Sequence, residues 1–242
     1  MICLLSDIHG NLEALNAVLD DSQRFNITDF IIAGDLIDYG ADSVKVIGTV
    51  YDLVKRGVVT SIAGNHDVLA DESVSIESLI STKYGRQSME ITREEVKDFL
   101  QSDDSFMFND LTRYLEQKLD CNVRVGHANV DVSRSDLLYS KFGKLISSES
   151  CSEFLNYRAG RVNIIGHSHI QGYQYRNNQL YVNPGSVGQP RNGDCRAQYA
   201  LLDTESRQVK FRRVNYDIEK ASRKIIKSGR DRFLSDRLYF GV

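Results

Sequence analysis

The N-terminal part of the chain alternates short apolar runs with amphipathic segments. Residues 1–6, 30–33 and 58–63 are apolar runs of strand length, each followed by a turn rich in Gly, Asp or Asn. Between these runs, apolar residues recur at helical spacing over 12–19 and 44–54. Strands that alternate with helices predict βαβ units, so the pattern indicates an α/β fold with a largely parallel sheet.

After residue 69 the predicted secondary structure changes, first to mostly helix and then to short strands. Residues 70–119 are polar and mostly helical in pattern, and Thr92–Glu95 matches a box of residues that caps helix N-termini. Short strands are then predicted at 122–125, 162–165, 173–176, 180–182, 198–202 and 209–214, with a Ser-rich helical stretch near 147–157. An amphipathic helix follows from about 217.

This organisation predicts one domain over residues 1–242. Within it we expect a mostly helical insertion or cap at about 70–119 and a C-terminal helical tail from about 217. The pattern leaves open whether the insertion covers a substrate, packs on the core or mediates a dimer.

Charge argues against a nucleic-acid partner. The 242 residues carry 30 Lys and Arg against 33 Asp and Glu, a net charge of −3. Tight binding of long nucleic acids needs clustered Lys and Arg, so we expect no stable nucleic-acid partner. The basic stretch 223–237 also contains acids, and we interpret it as a solvent-exposed helix face.

Apolar runs and cysteines predict the compartment. The longest apolar runs are far shorter than the ~20 residues that span a bilayer, and the N-terminal residues do not resemble a secretory signal. The cysteines at 3, 121, 151 and 195 form no CxxC pair, so we expect free thiols. We therefore expect a cytoplasmic protein with no membrane partner.

Candidate metal-binding side chains follow the predicted strands. The histidines of the chain all lie within a few residues of a strand end: His9, His66, His127, His167 and His169. Three further polar residues share this placement: Asp7, Asp35 and Asn65. Ligands of open α/β sheets bind at the carboxyl ends of strands, so these side chains are expected to surround one site.

The types of donor atom limit which metals the site is expected to bind. Imidazole and carboxylate without thiolate suit Mn, Fe, Ni, Co or Zn, and so many donors exceed what one tetrahedral ion needs. Two ions bridged by one carboxylate fit better, and such a pair suits in-line displacement at phosphorus.

Short motifs at these positions resemble a known family. The motifs are Asp7-x-His9, Gly34-Asp35-x-x-Asp38-x-Gly40, Gly64-Asn65-His66-Asp67, His127 and Gly166-His167-Ser168-His169. Together they resemble those of the calcineurin-like metallophosphoesterases. The loop Asn183–Arg191 resembles that of the small bacterial and archaeal phosphodiesterase branch. The resemblance runs from residue 1 to about 215 and implies a four-layer αββα sandwich with two mixed β-sheets.

The resemblance also implies roles for these residues. One ion would be held by Asp7, His9, Asp35 and His169. The second would be held by Asp35, Asn65, His127 and His167, so that Asp35 bridges the two ions. Mn²⁺ is the preferred ion, with Fe, Ni, Co or Zn as alternatives.

The remaining motif residues would act on the substrate. His66 is implied to contact the phosphate and assist the leaving group, with Asp38 or Asp67 as a partner that fixes its tautomer. A turn or cap role for either carboxylate stays open.

Two further residues are candidate substrate contacts. Asn11 opens a predicted helix, where backbone N–H groups favour anions, although a plain N-cap explains it equally well. Arg191 follows the Pro-Gly loop and is able to bind a phosphate bidentately. Tyr39, Tyr84 and Phe106 are available to contact a base, but none is assigned.

The expected function is hydrolysis of phosphodiester or phosphoanhydride bonds by in-line attack of a metal-bridging hydroxide. The expected partner is a small phosphate ester, such as the nucleotide diadenosine tetraphosphate. Alternatives are a phosphomonoesterase or protein phosphatase of the same fold, or a non-catalytic scaffold. The complete set of implied ligands favours the enzyme, and a homo-oligomer is left open.

Overall fold

The computed structural model describes residues 1–54, 58–113, 116–118, 122–128, 155–156 and 158–242. Its strands are β1 (Ile2–Leu5), β2 (Asp29–Ile32), β3 (Val58–Ser61), β4 (Glu116–Lys118), β5 (Val123–Gly126), β6 (Leu155–Asn156), β7 (Arg161–Ile164), β8 (Gly172–Arg176), β9 (Gln179–Asn183), β10 (Ala197–Asp203) and β11 (Gln208–Val214). Its α-helices are α1 (Leu12–Ser22), α2 (Ser43–Val54), α3 (Asn65–Val68), α4 (Lys83–Gln101), α5 (Ser105–Leu111), α6 (Ile218–Lys227) and α7 (Arg232–Asp236). Short 3₁₀ turns cover Ile76–Ser78 and Arg237–Tyr239.

The strands form two mixed sheets. One has the order β3-β2-β1-β10-β11-β6, and its strands β1, β2 and β3 are parallel. The other has the order β4-β5-β7-β9-β8, and its strands β5, β7 and β9 are parallel. The predicted fold class, α/β with two mixed sheets, is confirmed.

Alternating side chains of β1 and β2 pack in two separate cores. Leu4 and Ile31 of the six-stranded sheet pack in one cluster with Val125, Ile164 and Val182 of the five-stranded sheet. The two sheets therefore face each other. The opposite side chains of β1 and β2 pack in a second cluster with apolar residues of α1 and α2: Leu5, Ile32, Leu15, Val18, Ile47 and Val50. With both faces buried, β1 and β2 are almost wholly apolar.

The topology brings the predicted site loops to one edge. The loops after β1 and β2 are joined by two hydrogen bonds of 3.0 Å, from the backbone N–H groups of Asp7 and His9. The loops after β5 and β7 are joined by a hydrogen bond of 2.7 Å from Gly166 N–H to the His127 carbonyl. These backbone hydrogen bonds help to fix the separation of the loops.

Two predicted elements differ from the structure. Thr92 does not start a helix but lies buried within α4, whose N-cap is Thr82. Helix-compatible residues continue on both sides of Thr92, and its hydroxyl bonds to Asp38 instead of capping the backbone. The Ser-rich stretch predicted as helical near 147–157 lies outside the described residues, except for Leu155–Asn156, which form β6.

The C-terminal tail is only partly the solvent-exposed face that its charge suggested. Arg223 and Arg232 are exposed and pair with acids one turn away. Arg230 and Arg237, however, are only 4% and 6% exposed. Apolar residues such as Leu234 dock the tail against the rest of the protein and bury these two arginines with it.

Other expectations are tested only in part. Cys3 and Cys195 are free thiols, as predicted, whereas Cys121 and Cys151 lie outside the described residues. Among the helices that the structure describes, none has the length and apolarity needed to span a bilayer. Helices α4 and α5 of the predicted insertion both contact α2.

Candidate active site

The site loops hold a rare backbone conformation. Seven non-glycine residues have φ between 48° and 74°: Asp7, His9, Asp35, Asp38, Tyr39, His167 and His169. Residues other than glycine seldom adopt this left-handed backbone conformation, because it is strained. Such strain clusters at functional sites, where the surrounding structure must enforce it. Here the hydrogen bonds between loops enforce it, and it directs these side chains into a common space.

Two glycines allow the loops to approach closely. A Cβ on Gly64 would collide with the Asp35 carboxylate. Gly34 has φ +83°, and a Cβ there would lie 2.6 Å from the Gly64 nitrogen. Both motif glycines therefore allow β2 and β3 to bring their loops together.

The first donor group consists of Asp7, His9, Asp35 and His169, all buried, with one candidate ligand atom each within 4.8 Å of the others. The His9 Nε2 lies 3.1 Å from the His169 Nε2 and 3.5 Å from an Asp35 oxygen. The His169 Nε2 lies 3.3 Å from an Asp7 oxygen. These donors match those that the resemblance implies for one ion.

The second donor group consists of Asp35, His127 and His167. The Asp35 oxygen that faces His9 also lies 3.1 Å from the His127 Nε2. The Asn65 amide oxygen lies 3.2 Å from the His127 Nε2 and 2.9 Å from the His167 Nδ1. All seven predicted ligands are thus brought together, and Asp35 belongs to both groups.

The hydrogen bonds of three imidazole Nδ1 atoms indicate which ring nitrogens face the site. The Nδ1 atoms of His9, His127 and His169 lie 3.1, 2.6 and 2.6 Å from backbone carbonyls. A carbonyl only accepts, so we infer that Nδ1 carries the hydrogen in each of these rings and that Nε2 presents a lone pair whenever the ring is neutral. Two lone pairs 3.1 Å apart, on His9 and His169, repel unless a cation lies beside them. The donor set therefore fits metal ions.

Burial and neighbouring charges shift the pKa values of these donors. Burial lowers the pKa of His9 to about 3, so its imidazole is neutral near pH 7. Burial raises the pKa of Asp7 to about 6. Burial alone would lower the pKa of His127, but the adjacent Asp35 carboxylate raises it to about 10. Neutral imidazoles and crowded carboxylates are groups that a bound cation stabilises.

His66 lies beside the donor groups and has a different partner. Its Nδ1 lies 2.7 Å from an Asp38 oxygen, and its backbone N–H donates to Asp35 over 2.9 Å. Although burial opposes it, the nearby carboxylates of Asp35 and Asp38 raise the pKa of His66. Of the two carboxylates predicted as partners of His66, Asp38 is therefore the one in contact.

Asp38 is itself held by helix α4. Its second oxygen accepts hydrogen bonds from Ser88 Oγ over 2.6 Å and from Thr92 Oγ1 over 2.9 Å. Our sequence reasoning missed both hydroxyls. The available signal was their i, i+4 spacing, which places two polar residues on one face of a helix.

Asp67 shapes a loop. Its carboxylate accepts backbone N–H groups of Asp35, Leu36, Ile37 and Gly64 at 2.8–3.3 Å. These bonds hold the Asp35 loop against the start of α3. The loop role left open for Asp67 is the one that the geometry supports.

The two predicted substrate contacts are placed differently. Asn11 caps α1 by accepting from Ala14 N–H over 3.1 Å, and its amide donates to the Gly188 carbonyl over 2.9 Å. Both polar groups of Asn11 are thus used within the chain, which favours the plain N-cap. Arg191 lines the cavity over the donor groups, and one terminal nitrogen donates to Gln189 over 2.8 Å.

A cavity of about 240 Å³ opens above the donors. Its lining includes Asp35, Asn65, His66, His167 and His169 from the site loops. One wall comes from residues 79–82 and Tyr84 of the insertion, and another comes from Arg191 and Arg237. Tyr39 and Tyr84 line it as well, whereas Phe106 packs on Tyr51 elsewhere.

Two mixed sheets with a buried Asp/His cluster at their strand ends define the class of the protein, a metal-dependent hydrolase of phosphoric esters. The chain belongs to the calcineurin-like phosphoesterase superfamily, whose domain model matches residues 1–207. The predicted family is therefore confirmed.

Two relatives match the chain over very different lengths. The chain is 31% identical to the uncharacterized protein MJ0912 of Methanocaldococcus jannaschii, over 100% of this chain and 98% of that protein. A shorter match is 38% identical to the asymmetrical bis(5'-nucleosyl)-tetraphosphatase PrpE of Oceanobacillus iheyensis, over 27% of this chain and 30% of that protein.

Two solved structures share the fold over the full chain. One is a metallophosphoesterase from Sphaerobacter thermophilus, with TM-score 0.71, 24% identity and coverage of 100% and 98% of the two chains. The other is the hypothetical protein PH1004 from Pyrococcus horikoshii OT3, with TM-score 0.77, 21% identity and coverage of 100% and 99%.

Proposed function

We propose that this phosphoesterase uses two divalent metal ions to hydrolyse phosphodiester or phosphoanhydride bonds, and that its substrates include nucleotides such as diadenosine tetraphosphate. The observation that carries the proposal is the pair of buried donor groups that share Asp35 beneath one cavity. A shared carboxylate between two donor groups suits two adjacent ions better than one.

The seven donors divide between the ions. Asp7, His9, Asp35 and His169 would hold one ion, and Asp35, Asn65, His127 and His167 would hold the other, with Mn²⁺ as the preferred metal. When bound, such ions polarise a phosphoryl group and activate water at neutral pH. The chain's own contribution is to fix the donors: the rings of His9, His127 and His169 bond to backbone carbonyls, and the ring of His167 bonds to Asn65.

His66 is proposed to act on the leaving group. The carboxylate of Asp38 accepts the hydrogen of Nδ1, which leaves Nε2 as the nitrogen available to the cavity that His66 lines. Neighbouring carboxylates favour the protonated ring, so His66 is able to donate a proton to the departing oxygen. Ser88 and Thr92 keep Asp38 in place for this task.

The surroundings of the site support a small substrate. Residues 79–82 and Tyr84 of the insertion form a wall of the cavity, so we propose that the insertion helps to select the substrate. The partial likeness to the PrpE tetraphosphatase supports a nucleotide. We also propose that residues 1–242 form one domain and that the protein acts in the cytoplasm.

The test compares a diester with a monoester. Metal-free protein reloaded with Mn²⁺ is assayed on bis-p-nitrophenyl phosphate and on p-nitrophenyl phosphate. We expect metal-dependent turnover mainly of the diester. Turnover mainly of the monoester would favour the phosphomonoesterase or protein phosphatase alternative. No turnover by folded protein that binds two ions would favour the scaffold.

A further inference from the structure

Arg237 reaches the cavity from the C-terminal segment. It follows α7 in a 3₁₀ turn, is only 6% exposed and lines the same cavity as the donor groups. Its Nε donates to the Val242 backbone oxygen, and its guanidinium lies over the Phe233 ring at 5.2 Å. These contacts fix the side chain while leaving its terminal nitrogens free of hydrogen bonds to any described residue.

Arg191 lines the cavity beside it. Burial and, after it, the positive charge of Arg191 lower the pKa of Arg237 to about 10. The Nε of Arg191 is buried and has no partner among the described residues. In that part of the chain no carboxylate side chain pairs with either arginine. Arg237 is buried and Arg191 is half-buried, so an anionic ligand between these two like charges would lower the free energy of the site.

We propose that Arg237, together with Arg191, binds a second phosphate next to the one that is hydrolysed, so that the preferred substrates are phosphoanhydrides. This inference rests on the proposed function, since it assigns a substrate class to the same cavity. Guanidinium groups suit the role because their planar N–H groups bind phosphate oxygens in pairs. Arg237 lies beyond the residues 1–207 that the family model matches.

The charges of the site favour a second phosphate over a single one. Two divalent ions with the carboxylates of Asp7 and Asp35 leave two positive charges, which suit one phosphate. The two arginines add two more positive charges to the lining of the same cavity. A substrate with linked phosphates supplies anionic oxygens to both regions at once.

The experiment compares substrates that differ in phosphate number. Arg237→Gln and Arg237→Lys are assayed on diadenosine tetraphosphate and on bis-p-nitrophenyl phosphate, which carries one phosphate. The matched control is Arg232→Gln, because Arg232 lies on α7 with a side chain 84% exposed and pairs with Asp236. Thermal unfolding verifies each fold, and Arg191→Gln replaces any Arg237 variant that does not fold.

We expect kcat/KM for diadenosine tetraphosphate to fall about 10- to 100-fold in Arg237→Gln, the usual cost of losing a charged hydrogen-bond partner. Turnover of the one-phosphate diester should fall less than about 3-fold. Arg237→Lys should retain only part of the wild-type activity on diadenosine tetraphosphate, because an ammonium group lacks the paired N–H groups of a guanidinium. An equal loss on both substrates, or no loss on either, would overturn the inference.

A binding measurement separates this inference from the proposed function. By calorimetry, the wild-type protein should bind α,β-methylene-ADP about 10-fold or more tightly than AMP, and Arg237→Gln should abolish most of that difference. If no substrate is hydrolysed, the proposed function fails, and calorimetry still decides the subsite. Equal preference for the diphosphate in wild type and variant would overturn it.

Discussion

The metal-binding edge and the substrate-facing walls of the cavity are built in different ways. At the edge, each donor lies within a few residues of a strand end, and several are fixed by backbone groups, as His127 is by a carbonyl 2.6 Å away. The walls come from residues 79–82 and Tyr84 and from Arg237, which belong to segments far apart in sequence. Metal binding and substrate choice should therefore respond to different substitutions.

The largest effect is expected at the shared carboxylate. Asp35→Asn keeps the shape of the side chain but removes a charge that faces both donor groups. Loss of several kcal/mol of transition-state stabilisation corresponds to a fall in kcat of at least about 10³-fold, and both ions should bind more weakly. Turnover assays and elemental analysis measure the two effects.

The control for this variant is Asp29→Asn. Asp29 begins β2, the strand that precedes the Asp35 loop, at the end remote from the site, where its carboxylate accepts a hydrogen bond from the Thr28 hydroxyl. It should change neither turnover nor metal content. Near-normal activity of Asp35→Asn would contradict the bridging role.

A smaller effect is expected at His66, because it contacts the cavity but belongs to neither donor group. His66→Ala should lower kcat by about 10²-fold or more, the usual contribution of a general acid, with normal metal content. Kinetics and elemental analysis of one preparation check both. Loss of metal would show that His66 acts as a ligand.

The smallest effect is expected from helix α4, which acts through Asp38. Thr92→Val removes one of the two hydroxyls that hold Asp38 and so loosens His66, and it also removes the hydrogen bond of 2.8 Å that this hydroxyl accepts from Arg230. We expect kcat to fall about 3- to 10-fold with KM little changed. Thr112→Val is the matched control, since the Thr112 hydroxyl bonds only to the Phe108 carbonyl of its own helix among described residues. An equal loss in both variants would indicate a general packing effect.

The sequence predicted that the donor side chains meet at one edge of the sheets, because chemistry and secondary structure coincide there. Asp7, Asp35 and His127 each follow an apolar run, and parallel strands place their ends together. The division of the seven donors between two ions came from the family resemblance, and it stays a prediction.

The walls were harder to predict, because their residues carry no local signal. Thr92 matched a helix cap, yet its hydroxyl serves a carboxylate 54 positions away in sequence. Arg237 looked like one of many surface arginines, and only the docking of Leu234 and its neighbours buries it. Such placements depend on tertiary packing, which periodicity and motifs do not encode.

The most direct test of the central claim is electron paramagnetic resonance of protein loaded with Mn²⁺, together with the metal content of the same sample. We predict two ions per chain with a spin-coupled spectrum, because Asp35 lies between both donor groups. Asp35→Asn should lose the coupling. A single ion per chain, or two uncoupled ions in the wild-type protein, would contradict a site built around one shared carboxylate.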